Sequence, residues 1–283
     1  MTLLGLIGFP LEHSLSPRIH QAALDYALLK GSYELFPIAP DNLSELNVLL
    51  ERLRIGEISG LNVTIPHKQT VIPLLDELTP EARAIGAVNT ISCRDGKLIG
   101  ANTDAPGFLA DLQQAFPCKS WEQADQKNAL ILGAGGSARA VVSALLSDGW
   151  QVAIAARRPE QAEALAAEVS GGETAASVAA LQPASLRALR ADLTLLVNTT
   201  PLGMFPQVDA CPWPQGLALP PQAAVYDLVY NPRETQLVRK ARTAGLPACG
   251  GLGMLLEQAA LSFKIWTNCS VPRSVWAAAV EDL

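Results

Sequence analysis

The chain has 283 residues, 49% of them hydrophobic and 17% charged. That composition supplies a substantial core and excludes a disordered chain. A formal net charge of -6 argues against a nucleic-acid surface.

The start, MTLLGLIGFPLEHS, is not expected to be a signal peptide, because it lacks a basic n-region and its apolar run is broken at Gly5 and Gly8. No run reaches the length needed to span a bilayer. Residues 3–8 predict a buried strand, and Pro17 predicts a helix start running to about Lys30. A second strand is expected over 33–38, and Asn42 or Ser44 suits the cap of the helix that follows. GLNVTI, 60–65, predicts a third strand, with a helix from about Pro66 to Leu75. Alternating strands and helices predict a mostly parallel sheet. Two apolar-alternating runs flank Asp95-Gly96, a pair suited to a tight hairpin, so residues 1–104 are expected to form an α/β unit with an antiparallel edge.

A helix is expected from Pro106 to about Phe116, then a polar surface junction over 117–126. A second α/β pattern starts at ALILGAGGSARAVVSALL, whose helix ends at Gly149. It continues through QVAIAARR, a helix over 160–169, DLTLLVN and AVYDLVY. The proline-rich 212–222 predicts loop, and a last long helix begins near Met254. The five cysteines, Cys93, Cys118, Cys211, Cys249 and Cys269, are scattered without C-x-x-C spacing, as expected of reduced thiols in a cytoplasmic chain.

Gly133-Ala134-Gly135-Gly136-Ser137-Ala138 lies between a predicted strand and a predicted helix. This is G-x-G-x-x-A in the context of the dinucleotide fingerprint. Gly133 permits the turn, Gly135 leaves room for a pyrophosphate, and Ala138 allows close helix–strand packing. Free N–H groups and the helix dipole favour the phosphates. At the end of the next strand an acid would hold the ribose hydroxyls of NAD. Arg157 and Arg158 stand there instead, and guanidiniums suit a 2′-phosphate, so NADP is expected.

Three polar clusters mark segment ends in the first part: Ser14 with Ser16; Asn62, Thr64 and Lys68; and Asn89 with Asn102, Thr103 and Asp104. In open α/β sheets ligands gather beyond the carboxyl ends of the parallel strands. Hydroxyls and amides satisfy a polyol or hydroxy acid, while a lysine stabilises and protonates a nascent alkoxide with Asp104 orienting it. The alternative is a solvated surface lysine. His13, His20 and His67 lack metal-ligand spacing, so no metal is expected. His20 reads as a packing residue, and His67 as either pocket-lining or structural.

These residues carry a resemblance. The stretches GFPLEHSLSPRIH (8–20), GLNVTIPHKQ (60–69), IGAVNTI (85–91), GANTDAPGF (100–108), LGAGGSARA (132–140), NTTPLGM (198–204), VYDLVYNPRETQL (225–237) and GGLGMLLEQA (250–259) run the full length in order. The chain resembles the shikimate/quinate dehydrogenase family. The resemblance implies an α/β protein of two domains: an N-terminal substrate domain with a mostly parallel sheet, and a Rossmann-type dinucleotide-binding domain across a cleft. It places residues 1–105 with 254–283 in the substrate domain and 106–253 in the NADP domain. It implies reversible, NADP-dependent reduction of 3-dehydroshikimate to shikimate, in chorismate and aromatic amino-acid biosynthesis.

By the same resemblance, Ser14 and Ser16 hold the substrate carboxylate. Asn62, Thr64, Asn89, Asp104, Tyr230 and Gln258 contact the rest of the substrate, and Lys68 and Asp104 are the catalytic pair. Thr199 joins the glycine turn at the cofactor. Gly253 approaches the nicotinamide through its backbone, and Met254 lines that face. The family often shows Asn-Arg-Thr where this chain has Ala156-Arg157-Arg158, so Arg157 keeps the phosphate-binding position and a second arginine replaces the hydroxyl. A quinate-using sibling and a non-catalytic NADPH-binding regulator are the rivals. The expected partners are a small-molecule substrate and no nucleic acid or membrane, with the chain a monomer or homodimer.

Overall fold

The computed structural model describes residues 1–117, 127–169 and 176–282. Of the junction expected over 117–126, residues 118–126 lie outside the described residues, Cys118 among them. The chain divides into two compact units: Met1–Gly107 with Leu256–Leu283, and Phe108–Leu255.

The first unit begins with β1 (Thr2–Gly8), α1 (Ser16–Tyr26), β2 (Gly31–Pro37), α2 (Leu43–Arg54) and β3 (Gly60–Val63). Pro17 sits in the first turn of α1, where its missing N–H costs nothing. The helix stops four residues short of Lys30, and Leu28 beyond it takes a positive φ of 55°. Asn42 caps α2, accepting from Glu45 N at 3.3 Å. Leu46, Leu49, Leu50 and Leu53, at helical spacing, are all buried against the sheet.

No α-helix follows β3. The chain turns, makes one 3-10 turn at Ile72–Leu74 and forms a two-residue strand, β4 (Glu77–Leu78). Pro73 lacks a helical donor, and the β-branched run Thr70-Val71-Ile72 is stiff at χ1, so the segment forms no longer helix. α3 (Pro80–Ile85) is capped by Thr79 and closed by Gly86 at φ 67°. β5 (Thr90–Arg94) and β6 (Lys97–Ala101) form the expected hairpin; Asp95 and Gly96 both have positive φ, as a type I′ turn requires.

The sheet order is β2-β1-β3-β5-β6-β4. β5 runs antiparallel to both β3 and β6, whereas β4 pairs with β6 in parallel. The hairpin is therefore inside the sheet and not at its edge, because the short β4 covers β6.

α4 (Asp104–Ala115) starts two residues earlier than expected, and β7 (Asn128–Leu132) opens the second unit's sheet. There follow α5 (Gly136–Ser147), β8 (Gln151–Ala156), α6 (Pro159–Val169), β9 (Ser177–Ala180), α7 (Pro183–Leu189), β10 (Leu195–Asn198), β11 (Ala224–Asp227), α8 (Gln236–Thr243) and β12 (Ala248–Gly250). The order β12-β11-β10-β7-β8-β9 is parallel throughout. Strands buried on both faces read as apolar runs, such as the fully buried LLVN of β10. α9 (Leu252–Thr267) and α10 (Arg273–Ala278) complete the chain.

Candidate active site and nucleotide turn

In the first unit β1 and β3 are adjacent and parallel, so their carboxyl ends lie side by side. Ser14 and Ser16 follow β1, and Thr64 follows β3. Ser16 opens α1 and is buried, its N–H donating to Ser14 Oγ at 3.3 Å. Thr64 is half-buried in the turn, held by its N–H to the Ile7 carbonyl at 2.8 Å.

The same turn presents Lys68. His67, fully buried, donates from Nε2 to the Ile38 carbonyl at 2.7 Å, and the Lys68 carbonyl accepts from Val88 N at 2.8 Å. The backbone of Lys68 is thus fixed from both sides, and His67 has a structural task. Lys68 Nζ reaches Asp104 Oδ2 at 2.6 Å, with the two side chains 10% and 7% exposed. A buried pair of this kind has large opposed terms: removing one partner strands the other charge, at about 3–5 kcal/mol.

Asp104 is the first residue of α4. Asn102 Oδ1 accepts from Asp104 N at 3.0 Å and Ala105 N at 3.2 Å, so Asn102 caps the helix that carries the carboxylate. The other carboxylate oxygen, Oδ1, accepts from Asn89 Nδ2 at 2.9 Å. The amide orientation of Asn89 is settled by chemistry: its Oδ1 accepts the backbone N–H of Thr103 at 2.7 Å, which leaves Nδ2 to face Asp104. Gln258 Oε1 lies 3.4 Å from the same Nδ2.

Beneath this group lies a buried hydroxyl cluster. Ser262 Oγ is 2.8 Å from Thr90 Oγ1 and 3.0 Å from Thr103 Oγ1, and it donates to the Gln258 carbonyl at 3.0 Å. Asn62 Nδ2 donates to Ser262 Oγ at 3.0 Å and to the Asn89 carbonyl at 3.0 Å, while its Oδ1 accepts from Tyr33 Oη at 2.9 Å. The expected residues Asn62, Lys68, Asn89, Asp104 and Gln258 therefore form one network. Asn62 is its foundation, with its amide turned to the protein. Ser262 and Thr90 were not expected. The available signal was a hydroxyl four residues past Gln258, on the same helix face.

In the second unit the candidate residues follow the carboxyl ends of five adjacent strands: Gly133 after β7, Arg157 and Arg158 after β8, Thr199 after β10, Tyr230 after β11, and Gly253-Met254 after β12. Gly133 has a φ of 113°, and a side chain there would meet Thr199 Oγ1. Thr199 in turn donates twice to the Leu132 carbonyl, from N at 2.9 Å and Oγ1 at 2.8 Å. Gly135 is exposed, and nothing lies within 4 Å of where its Cβ would be. Ala134, Gly136 and Ser137 are half-buried around it, and Ala138 is fully buried under the first turn of α5. Open backbone at Gly135, an amino helix end and two exposed guanidiniums fit a dinucleotide with a 2′-phosphate.

The loops after β10 and β11 are braced by Asp227. Its carboxylate, fully buried, accepts from Asn198 Nδ2 at 2.8 Å, Val229 N at 3.1 Å and Thr235 Oγ1 at 2.6 Å. Burial raises its pKa, and these three bonds oppose the rise. Burial also raises the Tyr230 phenol, so its hydroxyl stays a donor. Among the described residues no group of three His, Cys, Asp or Glu is arranged to hold a metal, and no helix is long and apolar enough to cross a membrane.

These features define a two-unit α/β protein, one unit a Rossmann-type nucleotide fold and the other built around a buried lysine–carboxylate pair. Three family descriptions match in turn: the shikimate dehydrogenase substrate binding domain over residues 6–91, shikimate/quinate 5-dehydrogenase over 117–196, and the shikimate 5'-dehydrogenase C-terminal domain over 251–281. The NADP⁺-dependent shikimate dehydrogenase of Salinibacter ruber is 42% identical, over 99% of this chain and 95% of its own. A shikimate dehydrogenase crystallised with NADP⁺ superposes with a TM-score of 0.89 at 38% identity, over 100% of this chain and 95% of that one. The Thermus thermophilus enzyme, crystallised with NADP(H) and shikimate, gives 0.83 at 38%, over 99% of both chains. The chain belongs to the shikimate dehydrogenase family.

Proposed function

We propose that this chain is an NADP-dependent oxidoreductase that reversibly reduces 3-dehydroshikimate to shikimate, as part of chorismate and aromatic amino-acid biosynthesis. The observation that carries the proposal is the buried Lys68–Asp104 pair, locked by Asn89, in a chain of this family. Residues 1–107 with 256–283 form the substrate-binding unit, and 108–255 the nucleotide-binding unit.

NADPH, when bound, supplies the hydride. Gly133 to Ala138 hold its pyrophosphate and Arg157, with Arg158 beside it, its 2′-phosphate; Thr199 supports the glycine turn, and Gly253 and Met254 lie at the nicotinamide end. Ser14 and Ser16 take the substrate carboxylate. Thr64, Asn89, Tyr230 and Gln258 bind the rest of the substrate, and Asn62 orients the network from below. Lys68 Nζ gives its proton to the oxygen of the carbonyl as it becomes an alkoxide, and in the reverse direction accepts it. Asp104 holds Nζ in place and balances its charge. Groups fixed before the reaction need no reorganisation as charge develops. The partner is a small molecule, the assembly a monomer or homodimer, and the scattered cysteines support a cytoplasmic setting.

The test is initial rates with shikimate and quinate, each with NADP⁺ and NAD⁺. Strong preference for shikimate with NADP⁺ is expected. Comparable quinate turnover or an NAD⁺ preference moves the chain to the broader sibling activity. Turnover with no pair refutes the enzyme and leaves the nucleotide-binding regulator.

A further inference from the structure

One buried carboxylate has no task in this chemistry. Asp111, on α4, is 4% exposed. Its Oδ2 accepts a 2.6 Å hydrogen bond from Tyr226 Oη. Tyr226 stands in β11, fully buried, with Phe108 and Phe116 packed edge-on against its ring at 5.1 and 6.5 Å. Burial and the neighbouring carboxylate push the phenol's pKa well up, so the hydroxyl stays a donor to Asp111.

The other side of the carboxylate presses on Gly253, the second residue of α9. A Cβ built on Gly253 would overlap Asp111 Cγ and both of its oxygens. Gly253 has no positive φ, so space and not backbone conformation excludes a side chain there. The space its glycine opens is taken by Asp111. Negative charge is also favoured at this end of a helix. The neighbouring glycines are clamped likewise: a Cβ on Gly251 would strike the Leu228 backbone, and one on Gly250 would lie 3.1 Å from the Arg233 carbonyl.

We propose that Asp111 is a positioning residue for the cofactor side of the reaction. Anchored on Tyr226, it seats the Gly250–Met254 turn and so sets where Gly253 and Met254 meet the nicotinamide. It touches no reacting atom. The inference rests on the assignment of NADP to this unit.

The experiment measures NADP⁺ Kd by calorimetry, KM for each substrate, kcat and Tm for wild type, Asp111→Ala, Asp111→Asn, Tyr226→Phe, Gly253→Ala and the Asp111→Ala/Gly253→Ala double variant. Asp111→Ala is expected to raise the NADP⁺ Kd about tenfold while the shikimate KM stays within about twofold. Asp111→Asn still accepts from Tyr226 and recovers most of the affinity. A merely structural residue would lower Tm without this split. Gly253→Ala is expected to lower Tm sharply, and adding Asp111→Ala to restore it to the level of Asp111→Ala alone, a coupling that contact predicts. If Asp111→Ala proves insoluble, Tyr226→Phe gives the same Kd readout in smaller measure. Unchanged Kd in the soluble variants overturns the proposal, as do additive Tm losses in the double variant. Failure of the wild type to turn over shikimate with NADP⁺ would instead strike the proposed function.

Discussion

His20 makes the first unit acid-labile in a calculable way. Its ring is fully buried, stacked on Tyr33 with centroids 4.3 Å apart and planes 3° apart. Trp276 meets it edge-on at 5.5 Å, and Trp266 and Phe263 close the cage at 5.6 and 6.3 Å. Neither ring nitrogen has a hydrogen-bond partner among the described residues. Burial lowers the pKa from 6.5 to about 3, the Asn62 side chain opposing.

The unfolded chain therefore takes up this proton near pH 6.5, and the folded chain only near pH 3. Between those values the unfolded state binds more protons, so stability rises with pH. The contribution is complete above pH 6.5 and is lost progressively below it. At pH 4.5, two pH units below the free value, the loss is roughly 2–3 kcal/mol. His20→Phe keeps the aromatic stack and cannot be protonated. Urea unfolding of both proteins at pH 7.5 and 4.5 gives the test. The stability of the variant relative to wild type should rise by roughly 2–3 kcal/mol at the lower pH, and any constant packing cost cancels. An equal difference at both pH values would refute the argument.

Lys68→Ala should lower kcat by about 10²–10⁴-fold, the usual range for a lost proton-transfer group. It should leave the NADP⁺ Kd unchanged by calorimetry; near-normal kcat sinks the acid–base role. Arg157→Ala should weaken NADPH far more than NADH, and equal weakening removes the 2′-phosphate assignment. Ser262→Ala deletes the hydroxyl joining Asn62, Thr90 and Thr103; kcat should fall several-fold with a destabilisation of about 1–2 kcal/mol by thermal melting. No change in either would show that Asn89 is held without it.

Short-range signals made much of this legible. Strand, Gly133 turn and α5 are local, as are the Asp95-Gly96 hairpin and the Asn42 cap, and each followed from a few neighbouring residues. The resemblance then joined Ser14, Lys68, Asp104 and Gln258, which no local rule connects. What escaped depends on pairing partners. β4 is two residues long, and only its place beside β6 makes it a strand. β9, β12, α7 and α10 are short or weakly patterned and exist because the sheet or a neighbouring helix accepts them. The inner position of the hairpin was unreadable for the same reason. The resemblance placed Asn62 at the substrate; its bonds to Tyr33 and Ser262, far away in sequence, were beyond any local rule.

The order of the chain has a consequence for synthesis. Asn62 and Ser262 are bonded across 200 positions, and everything from Phe108 to Leu255 is made between them. A ribosome at residue 200 has released every strand of the first sheet but not the serine that locks its amides. The second unit, contiguous in sequence, can finish folding first, as domains generally fold as units. Throughout that interval the nascent first unit carries Asn62 and Thr90 without their last hydroxyl partner, and the Lys68–Asp104 centre gains its final support only when α9 docks.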